Sequence, residues 1–392
     1  MEKFTYDPMT RADSQIRLLK VGMGSGKPVR CTISTFDTDA CPEYEALSYT
    51  WELPVPAVES PQKIILNGKF LEIRENLYNF LERVAQESII YDGKPLCPRY
   101  LWVDAVCINQ KSDYEKSCQV RRMGQVYEQA QRVIVWLGQG SELTQTAMHL
   151  ILDAAAANAG SWSVVNPLTE DHPFNKRYVQ GFPALEALFH LSYWNRMWIV
   201  QEFLLAEDIT IVYGNQSIDF DDMSMIHRAH FNAIDPADRN SSNALRSPPQ
   251  SLDMFVISRR DLRTWMAEGH KYSSLQSVVE EFCHDGTFEC ADPRDRFYSL
   301  SALADDGDDI VVDDSKPASW LYWEVMAKWD HLSPYGAVRL IGLGLDMGVT
   351  GREENAILLD EVQDGWSQAV LGYSPVDIFA DPETYIARIE KE

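Results

Sequence analysis

A carboxylate stands alone in an apolar run: within residues 100–108 (YLWVDAVCI) the single charge is Asp104. Burying an ionised carboxyl is costly unless a partner or ligand compensates it, so the position calls for a role. At the carboxyl end of a buried strand, Asp104 would face the crevice in which open α/β sheets bind ligands. It would equally serve to cap a neighbouring loop or to pair with Arg121 or Arg122. Asn109 and Gln110 follow where the run turns into a loop, and turn-making accounts for Asn109 as well as ligand contact does. Cys107 sits among alternating apolar neighbours, which suits an inert buried thiol rather than a nucleophile with a lowered pKa.

Three other patterns fail on spacing. The stretch Gly22-Met-Gly-Ser-Gly-Lys27 lacks both the first glycine and the hydroxyl residue of a phosphate-binding loop, having Val21 and Pro28 at those places, so a β-turn is expected. Cys283, His284 and Cys290 have no second ligand pair for zinc. Aspartates 305, 306, 308, 309, 313 and 314 crowd a short stretch without the calcium-loop spacing, which leaves a solvated acidic loop.

The elements that must position these groups alternate. Residues 44–51 (YEALSYTW) predict a strand closed by Pro54 and Pro56, and residues 63–73 a hairpin about Asn67-Gly68. Asn76 suits a helix N-cap, with Leu77, Phe80, Leu81 and Val84 on one face, the helix ending before Gly93 and Pro95. The run 100–108 predicts a strand covered on both faces. Val120, Met123, Tyr127 and Ala130 form a helical stripe over 114–131, residues 132–138 a buried strand, and 142–157 a helix. A surface insertion up to Pro183, a helical stretch 184–207 interrupted near 192–195, and a strand 209–213 (ITIVY) complete the pattern. Alternating strand and helix imply an α/β fold, a parallel sheet with helices on both sides. Residues 1–233 are expected to form this domain, 234–250 a linker rich in Asp, Asn, Ser and Pro, and 251–392 a mainly helical C-terminal annex.

Bulk composition narrows the classes. With 392 residues, 45% hydrophobic and 24% charged, the chain can bury one large core or two modest ones. A formal charge of −24 repels a nucleic-acid backbone, so no nucleic-acid partner is expected. No stretch approaches the ~20 apolar residues that span a bilayer, and residues 1–20 lack a signal pattern, so no membrane partner is expected. Seven scattered cysteines fit a reducing, cytoplasmic setting without disulfides, and no metal site is expected.

Seven motifs occur in order: Ala46-Leu-Ser-Tyr-Thr-Trp51, the run 101–110 (LWVDAVCINQ), Gln119-Val-x-x-Met123, Val126-Tyr-x-x-Ala130, Val135-Trp-Leu-Gly138, residues 196–202 (RMWIVQE) and residues 292–298 (DPRDRFY). Together they resemble the signatures of the fungal heterokaryon-incompatibility (HET) domain, across about residues 44–304. Two departures stand out: Glu52 occupies the place of the family's usual glycine, where a missing Cβ would allow close approach of a ligand, and Glu115-Lys116 replaces the commoner Glu-Arg. The resemblance implies an effector of non-self recognition and regulated cell death, with activation through protein partners or self-association.

The HET domain is similar in turn to the TIR fold, which implies a flavodoxin/TIR-like parallel sheet flanked by helices. That resemblance implies a catalytic role for Glu202, four residues after Trp198, in cleaving nicotinamide from NAD, so that NAD is a candidate substrate and no cofactor is needed. Positions i and i+4 share a helical face, which lets ring and carboxylate line one pocket. The leaving group departs neutral while the ribosyl centre becomes oxocarbenium-like, so one carboxylate could suffice. Ser48, Tyr49, Trp51, Asp104, Asn109, Gln110, Arg196 and Trp198 are the candidate substrate contacts, with Trp198 or Tyr49 stacking on the base, and Asn109, Gln110 or Arg196 holding ribose or phosphate oxygens. A non-enzymatic module that recruits cell-death partners, and a nucleotide sensor without turnover, are the alternatives.

Overall fold

The computed structural model describes residues 1–51, 61–158, 173–233, 272, 274–283, 288–313, 315–326 and 341–349, together with positions 252 and 259. Glu52, the stretch 234–250, His284 and Asp314 lie outside the described residues. The chain divides into two compact units, Met1–Asp261 and Leu262–Glu392.

In the first unit eleven strands form one sheet in the order β5-β4-β2-β1-β8-β3-β9-β10-β11-β6-β7. Its centre is a parallel block: β8 (Leu101–Trp102), β3 (Glu45–Tyr49), β9 (Arg132–Trp136) and β10 (Ile209–Tyr213). In chain order these four strands lie second, first, third, fourth, the flavodoxin-like arrangement, whose direction of winding reverses between β3 and β9. Every residue of β3 and β10 is buried, as strands covered on both faces require.

The sheet is mixed rather than purely parallel. β1 (Gln15–Val21) and β2 (Arg30–Asp37) form a hairpin, and β1 runs antiparallel to β8. Residues 22–29 close that hairpin, so the glycine-rich stretch is a connecting loop. Short turns can join only antiparallel neighbours, and every parallel neighbour needs a crossover. Thus β4 (Gln62–Leu66) and β5 (Lys69–Ile73) pair through Asn67-Gly68, both at positive φ (48° and 82°), as a two-residue hairpin turn demands. β11 (Gln216–Asp219) returns antiparallel on β10. The two rims are short: β6 (Ile90–Tyr91) and β7 (Lys94–Pro95) end one, and at the other Lys3 bridges Phe70 on β5, flanked by Phe4 N–H to Phe70 O at 2.7 Å and Phe70 N–H to Glu2 O at 2.9 Å.

Several helix and strand boundaries differ from expectation. The strand expected over 100–108 stops at Trp102, and Asp104–Cys107 forms a single helical turn, α2. There the Asp104 carboxylate accepts Ala105 N–H at 2.6 Å, a local bond that competes with the ladder and turns the chain out of the sheet. The helix expected over 114–131 breaks at Arg122 into α3 (Asp113–Arg121) and α4 (Met123–Gln129). Helix α5 (Glu142–Asn158) is as expected, but α6 (Pro173–Phe189) occupies part of the expected insertion and carries Pro183 inside it. Ser192–Asn195 is a 3₁₀ turn before α7 (Ile199–Leu204), and α8 (Phe220–Ala233) follows β11.

Asn76 is not the cap of α1 (Glu75–Ala85); Arg74 holds that place. Buried in the first turn, Asn76 donates to Thr50 O at 2.8 Å and Thr50 Oγ1 at 3.1 Å and accepts from the Trp136 indole at 2.9 Å. It therefore ties the end of β9 to the chain leaving β3. Replacing it by Ala leaves these groups buried and unpaired, at about 1–3 kcal/mol each at most, and should lower the urea midpoint without changing the slope.

In the second unit the described residues include an isolated bridge between Tyr272 and Ala304 and the helices α9 (Leu275–Phe282), α10 (Asp295–Tyr298) and α11 (Ala318–Met326). Asp292 accepts from Arg294 N–H at 3.0 Å and from its guanidinium, and Arg296 pairs with Asp346 at 3.1 Å. Asp305, Asp306, Asp308 and Asp309 are exposed, as expected of a solvated loop. Among the described residues no group of three or more His, Cys, Asp or Glu is placed to hold a metal, and no helix is long and apolar enough to cross a membrane.

Candidate functional site

The carboxyl ends of the parallel strands carry a cluster of polar side chains drawn from five elements. β3 contributes Ser48 and Tyr49, and the chain just beyond it Trp51. α2 contributes Asp104, α4 Tyr127, the 3₁₀ turn Tyr193, and Arg196 and Glu202 come from before and within α7. The placement follows from the winding: the crossover β8-to-β9 carries α2 to α4, the crossover β9-to-β10 carries α5 to α7, and both pass the strand ends where the order reverses.

Glu202 is 2% exposed, and its carboxylate accepts from the Ser48 hydroxyl. Because that hydroxyl has one proton and spends it on Glu202, the adjoining Tyr193 hydroxyl donates to Ser48, giving a directed chain Tyr193 to Ser48 to Glu202. The Tyr127 hydroxyl, which donates to Leu47 O at 3.4 Å, also lies near Glu202 and favours its ionised form. Arg196 Nη1 lies 3.9 Å from Glu202 Oε2, beyond hydrogen-bond range, and has no hydrogen-bond partner among the described residues. Burial raises the Glu202 pKa above its ordinary value, opposed by the Arg196 charge and the Ser48 bond. Burial also lifts the phenols of Tyr49, Tyr127 and Tyr193 well above the usual range, so they act here as neutral donors.

Asp104 forms the second half of the cluster. The Trp51 indole donates to its Oδ2 at 2.8 Å, and Tyr49 and Arg196 lie near enough to favour the charged form. Burial raises its pKa against those three favourable contacts. Arg121 and Arg122 take no part: Arg122 donates to Gln15 O at 3.1 Å and to Thr38 Oγ1. Trp51 is 38% exposed, with the Arg74 guanidinium 5.6 Å from its ring centre. Two carboxylates, a cation with an unmet donor and an exposed indole thus gather at the ends of the parallel strands, where carboxylates can stabilise a developing positive charge and a guanidinium can hold a phosphate oxygen.

The expected residues separate into two sets. Ser48, Tyr49, Trp51, Asp104, Arg196 and Glu202 are brought together. Trp198 is half-buried one turn before Glu202, whose N–H reaches the Trp198 carbonyl at 3.4 Å, but its indole makes no hydrogen bond in the network. Asn109 instead shapes a turn, its Oδ1 accepting Lys111 N–H at 3.2 Å, and Gln110 donates to the Asp104 carbonyl at 3.1 Å. Tyr127 and Tyr193 were not singled out; Tyr127 lay in plain view inside the motif Val126-Tyr-x-x-Ala130, whereas Tyr193 carried no signal.

A family model described as "Heterokaryon incompatibility protein (HET)" matches residues 44–202, which begin at β3 and end on Glu202 itself. Residues 44–202 belong to the HET family. Heterokaryon incompatibility protein 6, OR allele, of Neurospora crassa is 24% identical over 358 residues, covering 79% of this chain and 50% of that protein. The chain therefore spans about half the length of this curated relative. No solved structure matches.

Within the HET domain the remaining motif residues are structural. Glu115 is buried against Arg17, which donates to both carboxylate oxygens and also to Cys107 O at 3.3 Å and Asp7 O at 2.8 Å; Glu115 accepts Asn109 N–H at 2.8 Å. Gln119 donates to Ala12 O and Gln15 O. These bonds fasten β1 and the residues before it to the turn after Asp104. The seven cysteines are free thiols. Cys107 is 1% exposed and burial pushes its pKa up to about 12, as for Cys31. In the native protein, maleimide should label Cys97, which is exposed, and leave Cys31 and Cys107 untouched; peptide mass mapping reads the result.

Proposed function

We propose that this HET domain is a cell-death effector that hydrolyses NAD at the glycosidic bond to nicotinamide, with Glu202 as the catalytic carboxylate. The observation that carries the reading is the burial of Glu202 in the strand-end cluster, hydrogen-bonded by Ser48 and held 3.9 Å from a guanidinium that has a donor to spare. When the bond to neutral nicotinamide breaks, the ribosyl centre gains positive charge, and a carboxylate in a water-poor site stabilises that charge more than water would. Arg196 is positioned to take a pyrophosphate or ribose oxygen, and Asp104 to accept from ribose hydroxyls. Tyr49 is buried, so the exposed Trp51 indole and the half-buried Trp198 are the rings open to the nicotinamide base.

Family kinship supports the cell-death context, and the name of the Neurospora relative points the same way. The test is release of nicotinamide from NAD by the purified full chain, alone and after forced clustering, followed by chromatography. Release that is lost on replacing Glu202 supports the reading; no release under either condition overturns it. A second reading, a non-enzymatic module that acts through partners, is favoured by the 2% exposure of Glu202. That reading expects toxicity on expression to survive the loss of the carboxylate.

A further inference from the structure

Helix α7 holds Glu202 yet has only six residues, Ile199–Leu204, too few to be stable by themselves. Its C-terminal carbonyls face inward and need donors, and the donor comes from far along the chain. Arg259 is 4% exposed; its Nη1 donates to Phe203 O and, at 2.8 Å, to Ala206 O, while its Nη2 donates to Glu207 O at 2.9 Å. The guanidinium also lies 6.0 Å from the ring of Phe220, which packs edge-on against Phe203 at 5.1 Å. A cation at a helix C-terminus meets the negative end of the peptide dipoles, and a planar fork can serve several carbonyls where an ammonium cannot.

We infer that Arg259 is a positioning residue for Glu202: it clamps the end of α7 and the link into β10, so the working body of the HET domain runs more than fifty residues past the 44–202 segment the family model matches. For activity this rests on the assignment of Glu202 as catalytic; as a statement about the helix it does not. The clamp also gives the chain a handle on its own site, since whatever withdraws Arg259 removes three acceptors' partner at once and frees the helix that carries the carboxylate.

The experiment compares the full chain with Arg259→Met and Arg259→Lys by hydrogen exchange read by mass spectrometry. Exchange across residues 199–207 is expected to speed up about tenfold or more in the Met variant and less in the Lys variant, with the β1–β2 hairpin unchanged. Exchange in 199–207 equal to the parent, or an equal rise everywhere, overturns the clamp. If Arg259→Met does not fold, the Lys variant is read by the same two criteria. Where the parent releases nicotinamide, Arg259→Met should lower kcat with KM unchanged; a raised KM with kcat unchanged overturns the positioning role. A parent that releases none sinks the cleavage assignment instead, and exchange alone then decides the clamp.

Discussion

Glu202→Gln is expected to cut nicotinamide release by about a thousandfold or more while the melting temperature at pH 7 stays level or rises. The rate effect follows because the amide keeps an acceptor for the Ser48 hydroxyl but offers no negative charge to the ribosyl centre. The stability effect follows from proton linkage. Burial raises the folded-state pKa of Glu202 above its ordinary value of 4.5, so between that value and the raised one the folded chain holds a proton that the unfolded chain has lost. Stability therefore falls as pH climbs through that window, and the deficit persists at neutral pH. Glutamine has no such deficit, so the variant's stability should vary less with pH. The parent's rate should show an acid limb displaced above the ordinary carboxylate range, since only the ionised group is effective. A variant that retains activity, or a limb at the ordinary position, would sink the assignment.

Glu115→Ala is expected to cost about 3–5 kcal/mol in urea unfolding, the largest stability loss among the changes considered. Both members of the Arg17–Glu115 pair are almost fully buried, with side-chain exposures of 4% and 5%. Removing the carboxylate leaves the guanidinium charged, desolvated and short of two acceptors, and strips Asn109 N–H of its partner. Arg17→Met combined with Glu115→Leu should recover only part of the loss. No buried charge remains in that double variant, but Cys107 O, Asp7 O and Asn109 N–H stay without partners. A loss below about 1 kcal/mol for Glu115→Ala, the range of an exposed pair, would refute this reading of the pair.

Legibility in the sequence varied with the reach of the interaction. Strands β9 and β10 and the Asn67-Gly68 hairpin rest on local apolar runs or backbone chirality, and the residues alone marked them. The break at Trp102 escaped notice because Tyr100–Ile108 reads as one apolar run, whereas a single bond between the Asp104 carboxylate and Ala105 N–H ends the strand. Asn76 looked like a cap because caps and clamps use the same side chain; its partners Thr50 and Trp136 are 26 and 60 residues away. The cluster about Glu202 was partly visible, since the motifs named Ser48, Tyr49, Trp51, Asp104 and Arg196. Tyr193 and Arg259 were not, because only the folded chain brings a residue 145 positions from Ser48, or one 56 positions from Phe203, into contact.

The margins of the sheet bear on how copies of this chain could gather. At one margin a two-residue strand ends in Pro95, which has no N–H to offer, and at the other Phe70 already gives and takes its main-chain bonds with residues 2 and 4. Among the described residues both borders are thus partly blunted against extension of the ladder by another chain. The helical faces on either side of the sheet leave more room for contact between copies, and single substitutions there can alter it without touching the ladder.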